Sequence, residues 1–191
     1  MRVGVIGISD KSLANATSFA VFGHDVLVYD NNEEKIKLLN KSILSIDNKQ
    51  VKALLFENKS KINFVSSLGN LSNMEVIVFT SDIENKENYK TLTGLFLKII
   101  DYINGDCVFL FKNKMPIGTS EKFEKYLKDV NNHKIHIAFQ MENLLANDIL
   151  SEIISPSFLV VGTSSKNAHL TINFLYEYYL KRNIFIYFTS L

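Results

Sequence analysis

The chain has 191 residues, of which 47% are apolar and 21% charged, and its formal net charge is +1. This composition excludes a disordered chain and allows one full core, while the balanced charge offers no electrostatic footing to nucleic acid or an anionic membrane surface. One cysteine excludes an internal disulfide, and neither a signal-type apolar segment nor a membrane-length apolar run is present, so a cytoplasmic protein is expected.

Strand and helix patterns alternate from the first residue. Arg2–Ile6 is a short β-rich run closed by Gly7. Leu13, Ala16, Phe19 and Ala20 repeat at helical spacing, and Gly23 stands where a helix end wants a left-handed residue. Val26–Tyr29 is a second strand. Asn31 or Asn32 can cap the helix of Ile36, Leu38 and Leu39, with Glu33 and Glu34 in the first turn, where the helix dipole favours them. A helical stretch near Val51–Phe56 and strands at Ile62–Val65 and Glu75–Phe79 follow, then an amphipathic helix over Tyr89–Ile103 stopped by Asn104-Gly105. Cys107–Phe111 is a strand, Ser120–Leu127 a helix and Ile135–Phe139 a strand. After Pro156 come a strand at Phe158–Val161, a helix at Lys166–Leu180 and an apolar run at Ile184–Phe188.

Such alternation implies an α/β fold, a Rossmann-type doubly wound and mainly parallel sheet with helices on both faces. No linker or repeat divides it. Residues 1–191 are expected to form one domain, with 157–191 a C-terminal strand–helix–strand extension.

The first strand-to-helix turn reads Gly7-Ile8-Ser9-Asp10-Lys11-Ser12. A dinucleotide-binding turn uses three glycines in G-x-G-x-x-G, for the tight turn, for close approach to the pyrophosphate and for helix–strand packing. Only Gly7 is present; Ser9 and Ser12 replace the others. Asp10 adds a negative charge where phosphate would bind. Two like charges at about 5 Å cost about 3 kcal/mol at an effective dielectric near 20, roughly two orders of magnitude in affinity. Lys11 can offset part of this. Equally, Ser9 or Asp10 can simply cap the first helix, with no ligand needed. Asp30, ending the second strand, is either the acidic partner of the adenosine ribose or another cap.

By this point the order of features resembles the N-terminal domain of the UDP-glucose/GDP-mannose dehydrogenase family. Arg2-Val3-Gly4-Val5-Ile6-Gly7, Phe22-Gly23-His24-Asp25-Val26 and Asp30-Asn31-Asn32-Glu33-Glu34-Lys35-Ile36 with Leu39-Asn40 are similar to its opening segments. Lys112-Asn113-Lys114-Met115-Pro116-Ile117-Gly118-Thr119-Ser120 resembles its K-S-T-V-P-x-G-T-T, and Val160-Val161-Gly162-Thr163 its I-V-V-G-T. The resemblance implies NAD as cofactor and oxidation of a nucleotide sugar for polysaccharide biosynthesis. It puts Gly7, Ser9, Ser12, Asp30, Lys35, Ser81 and Lys114 around the cofactor, and Glu142 at a catalytic position.

The departures are as informative. Lys114 replaces the family's threonine beside the nicotinamide, and Asn113 its serine. Thr80-Ser81-Asp82 replaces G-T-P, which leaves Ser81 to offer a pyrophosphate hydroxyl. Ser45-Ile46-Asp47-Asn48-Lys49 replaces a proline-rich segment, Met141 a proline, Ala146 a glutamate and Phe158 an arginine. The family's nucleophilic cysteine and its oxyanion lysine and asparagine follow this domain, beyond Leu191. Cys107 begins an apolar strand and reads as a core residue. The same changes therefore admit a relative that keeps the fold, a pseudoenzyme with weak or lost NAD binding, and fold analogy alone admits a ligand-sensing module.

Lys11, Lys35, Lys112 and Lys114 either converge at the carboxyl edge of the sheet or are separate solvated lysines. His24, His133, His136 and His169 read as structural, and no metal site is expected. Leu170, Phe174 and Leu175 fall on one stripe of the last helix, which Tyr178 and Tyr179 extend; Leu170, Phe174 and Tyr178 step by four, as a single buried face requires. Ile184, Ile186 and Phe188 form one face of the final strand, and Phe185 and Tyr187 the other. A strand apolar on both faces must be covered on both, so a homodimer or a partner chain is expected at these C-terminal aromatics.

Overall fold

The computed structural model describes residues 1–41, 48–81, 83–141 and 149–191. Strands β1 (Arg2–Ile6), β2 (Asp25–Tyr29), β3 (Ile62–Val65), β4 (Val76–Phe79), β5 (Cys107–Phe111), β6 (Ile135–Met141), β7 (Phe158–Gly162) and β8 (Phe185–Thr189) make one sheet in the order β3-β2-β1-β4-β5-β6-β7-β8. Only β6 and β7 run antiparallel. The reversal of strand order on either side of β1 is the doubly wound arrangement that the alternating pattern implies.

Helices α1 (Asp10–Val21), α2 (Glu33–Asn40), α3 (Lys49–Glu57), α4 (Lys86–Ile100), α5 (Thr119–Asp129), α6 (Ile149–Ile154), α7 (Lys166–Leu175) and α8 (Glu177–Leu180) complete the described fold. Strand parity separates two cores. Val3, Val5, Val28, Val76, Val78 and Leu110 meet Ala16, Phe19 and Ala20 of α1 and Ile172, Leu175, Tyr176 and Tyr179 of α7 and α8. On the opposite face Ile6, Ile77, Phe79, Phe109 and Phe111 meet Leu92, Phe96 and Ile99 of α4 and Phe123 and Leu127 of α5.

Local chemistry explains the boundaries. Asn32 caps α2 by accepting from the Lys35 amide. The Asn85 side chain accepts from the amides of Glu87 and Asn88, so α4 begins three residues before Tyr89 and ends before Ile103. Gly23 takes φ +96°, which lets the chain leave α1 without strain. The sequence reading missed α6, although Ile149, Leu150, Ile153 and Ile154 repeat at helical spacing; its Leu150 and Ile153 pack on Leu13 and Ala14 of α1.

The C-terminal helix corrects the sequence reading. The expected helix over Lys166–Leu180 breaks at Tyr176, where φ is −107° and ψ 23°. Leu170 and Phe174 are 59% and 66% exposed, so these two members of the expected stripe face outward, while Leu175 and Tyr179 are buried as expected and Tyr178 packs half-buried against the core. The inward face is Ala168, Ile172, Leu175, Tyr176 and Tyr179. It wins because its tyrosine hydroxyls find acceptors inside: Tyr176 donates to Oε1 of Gln140, and Tyr179 to the Ile153 carbonyl. Ile184, just before β8, and Ile186 and Phe188 within it pack against the core, whereas Phe185 and Tyr187 are exposed.

His24 joins this end of the molecule to β2. Its Nε2 lies 2.8 Å from the Leu175 carbonyl, and its Nδ1 3.4 Å from the Met1 nitrogen. Burial pushes its pKa below 6.5, partly offset by the bond to Leu175, and burial does the same to His136. The folded state thus refuses protons that the unfolded chain accepts, so stability is full above pH 6.5 and declines as pH falls below it. Thermal unfolding across this range should show Tm dropping on acidification, with a shallower slope in His24→Gln. A slope unchanged by that substitution would contradict the assignment.

Candidate functional site

The site lies at the carboxyl end of β1 and β4, where strand order reverses. Gly7 leaves β1 with φ +91°, a conformation that strains any residue with a Cβ. A Cβ there would stand 3.5 Å from Ser12 Oγ and 3.6 Å from Ser81 Oγ, so two hydroxyls face the turn.

The serines that replace the second and third glycines are bonded to the protein itself. Ser9 is the N-cap of α1, its Oγ accepting from the Ser12 amide at 3.1 Å. Of the two roles open to it in sequence, the structure shows the cap. Ser12 is buried, and its Oγ is 2.8 Å from both Ser9 Oγ and Thr80 Oγ1. Thr80 Oγ1 in turn lies 3.4 Å from the Ile6 carbonyl. A hydroxyl chain thus fills the space between α1, β1 and β4. Asp10 is exposed at the first turn of α1.

Asp30 reaches back to the same turn. Its Oδ2 accepts from the Ile8 amide at 3.0 Å and its Oδ1 from the Asn32 amide at 2.9 Å. Lone pairs remain on both oxygens, so a ribose hydroxyl can still donate to this carboxylate. Lys35 is exposed in the first turn of α2. Between β4 and α4 a cleft of about 220 Å³ is lined by Ile6, Phe79, Thr80, Ser81, Asn88, Thr91, Leu92 and Leu95.

Of the four lysines, Lys112 is the one drawn into the interior. Lys112 is buried, with Nζ 2.5 Å from Asn15 Oδ1 on α1 and 5.7 Å from the centre of the Phe19 ring. Its ammonium points under the sheet edge because Asn15, itself held by the Lys11 carbonyl, presents an acceptor there. Lys35 lies in α2 after β2 and Lys114 follows β5, strands that stand three spacings, about 14 Å, apart in the sheet. Lys114 is exposed, and its carbonyl accepts from the Ile83 amide. Glu142 and Asp82 lie outside the described residues.

Asn113 was marked in sequence only as a replaced serine, and Asn15 escaped the sequence reading. Asn113 is buried; its Nδ2 donates to the Ser81 carbonyl at 2.8 Å, and among the described residues its Oδ1 has no partner. Asn15 was hidden in a helix face otherwise read as apolar. The available signal was polarity at positions the period makes internal, which in a buried element implies a specific partner.

Cys107 is buried, and desolvation drives its thiol far above the ordinary range, so it is no nucleophile. His136 Nε2 is 3.2 Å from Asn167 Nδ2. Among the described residues no three His, Cys, Asp or Glu side chains form a metal-ligand set, and no helix is long and apolar enough to cross a membrane.

Residues 1–180 match the NAD binding domain of the UDP-glucose/GDP-mannose dehydrogenase family. The chain belongs to that family. Relatives include a UDP-glucose 6-dehydrogenase of Rickettsia conorii, 25% identical over 183 residues, which span 92% of this chain and 42% of the relative. A UDP-N-acetyl-D-mannosamine dehydrogenase of Pyrococcus horikoshii is 25% identical over 195 residues, spanning 97% and 46%. The chain thus spans less than half the length of the curated relatives it matches. Among solved structures, the Pyrococcus horikoshii UDP-D-ManNAc dehydrogenase superposes with a TM-score of 0.86 at 22% identity, over all of this chain and 47% of that one. A ternary complex of GDP-mannose dehydrogenase from Pseudomonas aeruginosa gives 0.85 at 17% identity, over all of this chain and 46% of that one. These superpositions establish the Rossmann-type fold.

Proposed function

We propose that the domain binds NAD weakly, serves nucleotide-sugar oxidation in the cytoplasm, and does not complete that reaction within these 191 residues. The observation that carries this reading is the Ser9 cap beside Asp10: one first-turn amide is already taken, and a carboxylate stands where phosphate charge would gather. Part of the crevice fits the cofactor. Gly7 turns beside the Ser12 and Ser81 hydroxyls, Asp30 can accept from a ribose, and Asn113 Oδ1, without a partner among the described residues, offers an acceptor to a ligand amide.

Isothermal titration with NAD is expected to give a Kd near millimolar or weaker. A micromolar Kd overturns weak binding. With UDP-glucose or GDP-mannose present, no NADH should accumulate at 340 nm. A thiol must hold the aldehyde for the second hydride transfer implied by the family resemblance, and Cys107, the one cysteine of the chain, is sealed in the core. Steady NADH formation would refute this.

A further inference from the structure

One face of α4 carries Asn88, Thr91, Leu92 and Leu95, which step by three and four and so share one side of the helix. With Ile6, Phe79, Thr80 and Ser81 they line the cleft of about 220 Å³ between β4 and α4. Ile6, Phe79 and Leu92 are its buried apolar wall, and Asn88, Thr91 and Ser81 its exposed polar rim. An apolar wall suits the face of a planar base, and the rim decides which base. A side-chain carboxamide presents a donor beside an acceptor, which complements an adenine edge with its amino group beside a ring nitrogen. Guanine and hypoxanthine put a carbonyl where adenine has that amino group, so the same carboxamide meets two acceptors. Asn88 supplies the carboxamide here.

Sugar and phosphate meet opposite conditions beside this cleft. Ser81 joins the two regions, since it lines the cleft and its Oγ stands 3.6 Å from where a Gly7 Cβ would be. Asp30, bonded to the Ile8 amide next to Gly7, keeps lone pairs for ribose hydroxyls. A phosphate carried by that ribose falls at the first turn of α1. There the Ser9 hydroxyl already holds the Ser12 amide, the Ser12 hydroxyl is drawn to Ser9 and Thr80, and the Asp10 carboxylate stands exposed.

Resting on the weak-NAD reading above, we propose that the crevice takes adenosine without phosphate in preference to ADP or NAD, with Asn88 reading the base. Phosphate added to the nucleoside weakens binding, the reverse of an ordinary dinucleotide turn. The penalty acts between solvent-exposed charges, so salt relieves it, whereas salt loosens a phosphate that is held by attraction.

Titration of the isotope-labelled 191-residue chain, followed by backbone amide shifts, should give a Kd of about 0.1 mM for adenosine, with shifts at β4 and α4. ADP should bind at least tenfold more weakly in ~20 mM salt, and that gap should narrow in ~500 mM salt. Asp10→Asn should narrow it too, with adenosine unchanged. Inosine should bind roughly fivefold or more weakly than adenosine, and Asn88→Leu should abolish that discrimination. Asn88 is exposed, so the variant should keep the parent's Tm. An ADP Kd equal to or below that of adenosine overturns the proposal, as does an ADP affinity that falls with salt, equal binding of inosine, or no adenosine shift at β4 and α4. Millimolar NAD binding beside any of these leaves the weak-NAD reading standing without this one; micromolar NAD binding overturns both.

Discussion

Replacing Ser9 and Asp10 together by glycine is expected to tighten NAD binding at least tenfold. Ser9→Gly frees the Ser12 amide and removes the side chain that bars close backbone approach, while Asp10→Gly removes a carboxylate from the phosphate end of α1. The full Coulomb penalty of about 3 kcal/mol applies to a shielded pair, and Asp10 is exposed, so salt and water screen part of it. A factor near ten, about 1.4 kcal/mol, is what survives that screening. The cost to the fold is small, because glycine is nearly as good an N-cap as serine and the lost charge–dipole contact is worth about 0.3–1 kcal/mol. Titration of the double variant beside the parent measures the gain. Equal affinities would mean that the Ser12–Thr80 hydroxyl chain, rather than Ser9 and Asp10, limits the site.

The largest stability effect is expected at Phe96. It is fully buried on α4, stacked on Phe123 at 4.1 Å and edge-on to Phe109 at 5.8 Å. Phe96→Ala leaves a cavity in the core beneath the sheet and should cost about 3–5 kcal/mol, a large share of the 5–15 kcal/mol a domain has. Phe174→Ala should cost under about 0.5 kcal/mol, since that ring is 66% exposed. Urea unfolding of both variants makes the comparison. A comparable loss at Phe174 would restore the buried stripe of Leu170, Phe174 and Tyr178 that the sequence period suggests.

Much of the architecture was legible because its causes are short-ranged. Strand and helix periods, the left-handed positions at Gly7 and Gly23, and the caps at Ser9 and Asn32 each act within a few residues. Motifs such as Pro116-Ile117-Gly118-Thr119 carried the family resemblance for the same reason. The candidate site was legible only in part. Gly7, Asp30 and Ser81 do meet at one turn, yet Lys112 turns inward, away from the others, because Asn15 lies in reach beneath it.

The sequence by itself determined the alternating α/β order, the doubly wound sheet and the missing glycines of the turn, since each is written in neighbouring residues. Tertiary structure decided that Leu170 and Phe174 of the last helix stay exposed while Leu175 and Tyr179 are buried, and what the polar groups of the core hold. Ser12 meets Thr80 across 68 positions of sequence and Asn15 meets Lys112 across 97. Tyr176 meets Gln140 across 36. Such pairs depend on strand order, which brings β1, β4 and β5 side by side, and burial makes each polar group take the partner found there.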